Sequence, residues 1–431
     1  MVDYIIRFLL GDSLACRVAA SLVAYTSDET KWANCRVVIL PSGFFDEGRY
    51  GQPSSLPVLP LQEMQDVPLL YGTPEIVRRD DRLLVSADLI ASAFFLLSRY
   101  EEYVRKDVRD AHGRFPGRES LPFRANFIDR PIVDEYGRLL RTWLRRMGVE
   151  LPEPERTLHR VNLTVDVDVP FLYRHPKGVL RGLLSPGNRL RALRTFLFDR
   201  SLDPAFTFPW IAAQNRDLEE EVHSFNTEAI YFFKSTGGTP QDKPVYGLHA
   251  KDTQALFAFC REQGITFGLH VSYHAGLHPK SIREEKQRLE EAVGVDIRCS
   301  RHHFLSCREP EDFGELSACG ITDDYTMGYA DVAGFRLGTC RPVRWISPAS
   351  REVSSLTLHP LTVMDYTLVH ERYMHLSFDD AAAYCLKLID RTEHHHGDLT
   401  LLWHNHYLIP APGKWEGELY ELLIEDLMRR R

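Results

Sequence analysis

After residue 155, short apolar strand-like runs alternate with helix-like segments, and this alternation most constrains what the chain can fold into. Strands are expected over 161–167, 229–233, 266–270, 296–299, 334–338, 356–359 and 399–403. Amphipathic helices are expected over 253–263, 281–293, 379–391 and 416–430, the second opening on the capping-box pattern Ser281-Ile282-Arg283-Glu284. Such alternation implies an α/β layer or barrel. Upstream, Leu151-Pro152-Glu153-Pro154-Glu155-Arg156 cannot continue a helix and marks a boundary, dividing the chain into domains 1–155 and 156–431. The N-terminal domain mixes short strands, such as 36–40, with one helix over 88–103. Its stripe is Leu89, Ile90, Ala93, Phe94, Leu97 and Tyr100, capped by Ser86 or Asp88. The charged stretch 99–114 reads as a solvated helix end and loop rather than a ligand surface. The proline-rich interval 173–226 reads as an irregular insertion.

Chemistry concentrates at the ends of the strand-like runs. Leu163-Thr164-Val165-Asp166-Val167-Asp168 closes an apolar stretch with two carboxylates, where burial penalises a charge that nothing pairs. A second run, Ile265-Thr266-Phe267-Gly268-Leu269, ends in His270, and His274 follows four residues later. If the chain turns helical there, both rings face one side. One carboxylate and two imidazoles can hold a divalent ion with positions left for water and substrate, while the other carboxylate serves as base. In parallel α/β folds, sites assemble at the carboxyl ends of neighbouring strands. Arg301, in Arg301-His302-His303, can orient a carboxylate through a charge-assisted pair. Asp323-Asp324 leads an aromatic-rich loop suited to binding sugar and holding a catalytic histidine. His404, ending Leu399-Thr400-Leu401-Leu402-Trp403, can protonate a leaving amine, and His359 competes for that role. His394-His395-His396 reads as an exposed polar tract.

Composition excludes other classes. The 431 residues are 44% hydrophobic and carry a formal net charge of −8, which disfavours a nucleic-acid binder. No apolar run approaches the roughly 20 residues of a membrane span. Asp3, Arg7 and Asp12 interrupt any signal-peptide pattern, and the eight cysteines show no C-x-x-C pair. A cytoplasmic location is the expectation.

These segments, in this order, resemble the NodB-homology polysaccharide deacetylases of carbohydrate esterase family 4 over roughly residues 158–425. The resemblance implies an α/β fold with a C-terminal distorted (β/α) barrel of the NodB type behind a smaller α/β N-terminal domain. It implies Asp166 as base and Asp168, His270 and His274 as ligands of a divalent transition metal, Zn2+ before Co2+ or Ni2+. Arg301 falls where the family pairs its base, without the usual proline. Asp324 falls at the fourth motif, with Tyr325 in place of a small residue, and would support the catalytic histidine. His404 matches the terminal motif and is preferred to His359 as general acid. The implied reaction is removal of N-acetyl or O-acetyl groups from a saccharide or glycan precursor. Alternatives are another C–N hydrolase acting on a cyclic amide or imide, or a non-catalytic carbohydrate-binding protein. The N-terminal residues, notably Ala93 to Glu102 and Asp129-Arg130-Pro131, resemble an uncharacterised module that precedes such domains in bacterial proteins.

Overall fold

A computed structural model describes residues 1–185, 187–308 and 311–430. Nine strands form the main sheet, named here in chain order: β1 (Arg160–Val167), β2 (Asn226–Phe233), β3 (Thr266–Val271), β4 (Cys299–His302), β5 (Asp323–Met327), β6 (Val343–Ile346), β7 (Val353–Pro360), β8 (Val363–Met364) and β9 (Asp398–His404). Their order is β6-β7-β5-β4-β3-β2-β1-β9-β8, and all neighbours are parallel except β6 with β7. The chain leaving β7 touches both halves of this sheet. The Leu361 N–H donates to Met327 O at 3.1 Å and the Thr362 N–H to Thr400 O at 3.2 Å, so the sheet curls toward a barrel. β1 is buried almost throughout, its apolar Val161, Leu163, Val165 and Val167 alternating with the buried polar Asn162, Thr164 and Asp166 on the opposite face.

The structure shifts several expected elements. The strand expected at 296–299 begins at Cys299 instead, because Asp296 is drawn outward to Lys286 and Arg298. That shift places Arg301 and His302 inside β4. Residues 334–338 are not a strand. Gly334 and Gly338 take positive φ, 141° and 65°, and the segment docks on the N-terminal region through Phe335 N–H to Ile128 O and Val133 N–H to Gly338 O, both 2.8 Å. β5, β6 and β8 carry no clear strand signal in the sequence. The capping box at Ser281 does not form, its side chain making no cap hydrogen bond. The interval 173–226 is largely helical: Pro176–Leu184, Arg189–Leu197 and Phe208–Glu221. Pro176 and Pro209 stand in the first turns of their helices, where a missing N–H costs nothing; Pro186 lies outside the described residues.

The N-terminal region builds a smaller sheet, Val23–Tyr25, Val37–Ile39, Arg82–Ala87 and Gly72–Arg79 in spatial order, the last strand antiparallel. The expected long helix is two helices, Leu89–Leu97 and Tyr100–Val104, separated by left-handed Arg99 at φ 55°. Asp88 caps the first by accepting the Ala91 N–H at 2.9 Å. That helix is buried on every side rather than along a stripe. One apolar core includes Ile5 and Trp143 together with Val165, Leu356 and Leu427, so the two regions pack as one body. Buried ion pairs cross between them. Arg336 donates to Glu102 at 2.7 and 3.0 Å, and Arg341 donates to Asp134 at 2.6 Å. Among the described residues no helix is long and apolar enough to cross a membrane.

Candidate active site

Strand register brings the chemistry to one rim. His404 of β9 pairs in register with Asp166 of β1, which pairs with Phe232 of β2, while Arg301 of β4 pairs with His270 of β3. Asp166 is 3% exposed and Arg301 is fully buried. Arg301 Nη1 donates to Asp166 Oδ1 and Thr164 Oγ1, each at 2.9 Å, and its Nε donates to Tyr325 O at 3.0 Å. The guanidinium lies 4.4 Å over the Phe232 ring. Gly268 makes room for that ring, since a Cβ there would come within 2.4 Å of it. Asp166 therefore keeps one oxygen pinned by Arg301 and turns the other, Oδ2, toward His270 Nε2 at 3.6 Å and His404 Nε2 at 4.0 Å.

Asp168 is the focus of the positive groups. Its Oδ1 lies 3.5 Å from His270 Nε2, 3.3 Å from His303 Nε2 and 3.4 Å from Lys234 Nζ. Burial would raise the Asp168 carboxyl, but the two imidazoles and the ammonium hold it well below the usual carboxylate range. His270 Nδ1 donates to Arg301 O at 2.9 Å, leaving Nε2 as a lone pair aimed at the acids. His303 Nδ1 lies 3.4 Å from Asp242 Oδ1, which turns its Nε2 to Asp168 in the same way. Asp242 is fixed by the backbone N–H groups of Tyr273, Gly238, Thr239 and His274. Asp168, His270 and His303 each direct one ligand atom to a common point, and these atoms lie within 4.8 Å of one another. Asp168 Oδ1 and His270 Nε2 are buried without a hydrogen-bond partner. Two convergent imidazole nitrogens and a carboxylate oxygen, of which Asp168 Oδ1 and His270 Nε2 are orphaned, fit a divalent transition metal.

His404 completes the site. Its Nδ1 lies 2.8 Å from Asp365 Oδ1, and Asp365 Oδ2 accepts the His404 N–H at 2.7 Å. Burial would lower its pKa, but Asp365, with Asp166 and Asp168 behind it, raises it to about 9. The free edge, Nε2, stands 3.8 Å from Asp168 Oδ2.

Five of the residues singled out in the sequence meet here: Asp166, Asp168, His270, Arg301 and His404. Two do not. His274 stands on a new short helix, Tyr273–Leu277, while His270 remains in a strand, so no helix face carries both rings. His274 packs instead beside His278, with ring centroids 4.6 Å apart, and its place in the cluster is taken by His303. Asp324 lies on the opposite face of the sheet, fully buried and accepting from Ser300 Oγ and Thr326 Oγ1 at 2.9 Å. Strand alternation sends its side chain away from His404, whose partner is Asp365. His359 is remote from the acids, bonded to Asp323 at 2.8 Å and stacked on Tyr325. Tyr325 and Tyr329 are buried and offer no sugar platform. A half-buried aromatic pair stands beside His404: Tyr407 at 5.5 Å, and Tyr366 tilted against Tyr407 at 5.4 Å.

His303, Lys234, Asp242 and Asp365 were not read from the sequence as site residues. Lys234 ends the apolar run of β2, and Asp365 ends Val363-Met364; both repeat the signal that exposed Asp166. The stretch 99–114 is likewise more than a solvated loop. Arg114 Nη1 donates to Phe304 O at 2.8 Å, and the His112 ring lies 4.8 Å from the Phe304 ring, beside His303.

Residues 2–148 match a family of unknown function, DUF7033. No curated protein matches the chain. Among solved structures, the chain is similar to a putative polysaccharide deacetylase from Mycobacterium smegmatis, at 15% identity and TM-score 0.41, covering 64% of this chain and 86% of that one. It is also similar to Puue allantoinase, at 11% identity and TM-score 0.36, covering 66% and 94%. A mutant of a CE4 family pseudoenzyme is similar at 12% identity and TM-score 0.33, covering 66% and 69%.

Proposed function

We propose that this protein is a metal-dependent hydrolase that removes acetyl groups from a saccharide or glycan precursor, with residues 156–431 as the catalytic domain and 1–155 as a second domain packed on it. The observation that carries the reading is the division of labour around one orphaned cluster: an acid pinned by arginine on one side and a histidine backed by aspartate on the other. Asp168, His270 and His303 would hold the metal, with zinc, cobalt and nickel all suited to the donor set. When bound, the ion supplies Lewis acidity toward a carbonyl oxygen and lowers the pKa of a water. Asp166, oriented by Arg301, would take the water's proton. His404, protonated and oriented by Asp365, gives its Nε2 proton to the departing amine or alcohol. Arg301 acts through Asp166 and is a positioning residue. The half-buried Tyr366 and Tyr407 beside His404 offer flat faces suited to a sugar ring. A cytoplasmic setting, which keeps thiols reduced, agrees with the buried thiols Cys16, Cys260, Cys340 and Cys385.

Acetate release from N-acetylhexosamine oligomers by zinc- or cobalt-loaded protein tests the reading, with cyclic amides and imides as competing substrates. Acetate from the sugar that disappears in Asp166→Asn, with metal retained, is expected. Turnover of the cyclic amide alone would move the assignment to the other C–N hydrolase class.

One observation favours a second reading, a carbohydrate-binding protein without turnover. The Lys234 ammonium, 2% exposed, already neutralises Asp168 from 3.4 Å. If it excludes the metal, the protein as purified contains none and takes up none when offered.

A further inference from the structure

The outer face of β4 carries a second convergence of ligating side chains, independent of the catalytic reading. Along β4, Arg301 points inward to Asp166 and His302 therefore points outward, 1% exposed, toward the helix Glu311–Ala318. Its Nε2 stands 3.3 Å from Asp312 Oδ2 yet makes no hydrogen bond, and the fully buried Asp312 leaves Oδ1 without a partner as well. Orphaned polar atoms at such depth cost free energy unless something satisfies them. Half-buried Cys307 completes the set: one ligand atom each from His302, Cys307 and Asp312, all within 4.8 Å of one another.

The surroundings are those of a supported ligand set. His302 Nδ1 lies 3.4 Å from Thr326 Oγ1, and Thr326 donates to Asp324 Oδ2 at 2.9 Å. Asp324 thus stands behind His302, in the position of an outer partner that fixes the ring. Asp312 Oδ2 is itself held by the Arg308 N–H at 2.5 Å.

The three residues straddle a strained turn. Phe304 and Leu305 both adopt positive φ, 62° and 54°, a conformation that side chains other than glycine's resist. This turn carries His303, whose ring completes the cluster at Asp168. His302 lies just before the Phe304–Leu305 bend, Cys307 at the end of the 303–308 turn, and Asp312 beyond it.

We propose that His302, Cys307 and Asp312 bind a structural zinc-class ion that clamps the 303–308 turn and so holds His303 in place. Nitrogen, thiolate and carboxylate together select zinc or cobalt over magnesium or calcium, and the half-exposed side at Cys307 leaves the fourth position to water.

Full-length protein loaded with Co2+ tests this without a known substrate. A thiolate-to-cobalt charge-transfer band in the near ultraviolet is expected, because the catalytic cluster offers no sulfur. Cys307→Ser should abolish the band, and Asp312→Asn should weaken cobalt binding at the same signal. Elemental analysis should find one ion per chain fewer in Cys307→Ser than in the wild type. His270→Ala should also lose an ion but keep the band, which separates this site from the catalytic one. Wild type without the band, or a band that persists in Cys307→Ser, overturns the proposal.

Discussion

Asp365→Asn removes the charge that faces His404, together with the acceptor of the His404 N–H, since an amide Nδ2 cannot replace Oδ2 there. The side chain keeps its size, and Asn Oδ1 can still accept from His404 Nδ1, where Asp365 Oδ1 stands at 2.8 Å. What is lost is the charge that outweighs burial and lifts His404 to about 9. Without it, Asp166 and Asp168 still favour the charged ring but burial counts for more, and the imidazole falls toward its ordinary value, with about 6.5 as the limit. At about pH 8, a group titrating near 9 is about 90% protonated, and one near 6.5 about 3% protonated, so a step needing imidazolium slows about thirtyfold. The same shift is a stability term. A raised pKa stabilises the fold fully below the unfolded value and loses that stabilisation as pH climbs to the folded one. Between about pH 6.5 and about 9, the wild type should therefore lose about 3 kcal/mol that the variant never had. The assays are proton NMR titration of His404 in chelator-treated protein, pH–rate profiles with acetate release, and denaturant unfolding at both pH values. An alkaline limb and a His404 titration that stay near 9 in Asp365→Asn would refute the argument.

Arg301→Met leaves Asp166 buried and uncompensated, which should cost about 3–5 kcal/mol in denaturant unfolding. Adding Asp166→Asn should restore most of it, and a double variant as unstable as the single would contradict the pairing. Lys234→Met removes a buried ammonium 3.4 Å from Asp168 Oδ1 and should tighten zinc binding on the order of tenfold or more by calorimetry. Unchanged affinity would mean that Lys234 does not oppose the ion. Asp242→Asn weakens the hold on His303 and strips an acceptor from the backbone N–H groups around it, so it should reduce metal affinity about 10–100-fold and lower stability as well, as read by titration and denaturant unfolding.

Much of the barrel was legible because its buried strands are rich in Val, Leu, Ile and Phe, and a charge closing such a segment has few structural reasons to be there. Asp166, Asp168, His270 and His404 all follow that pattern. β8 has only two residues, Val363 and Met364, too short to show periodicity, so Asp365 at its end passed unread. β5 opens with two acids and reads as a loop, so nothing in the sequence showed that Asp324, matched to the fourth motif by resemblance, faces away from His404. His303 sat in plain view beside Arg301, but only three-dimensional folding of the turn carries its ring inward while its neighbour His302 points out. His274 failed for a related reason: four-residue spacing aligns two rings only when one helix carries both.

The central claim is the ligand set at the inner rim, and metal content measured side by side in wild type, His303→Ala and His274→Ala tests it most directly. His303→Ala should lose one ion per chain while His274→Ala matches the wild type. Loss in His274→Ala with retention in His303→Ala would contradict the assignment.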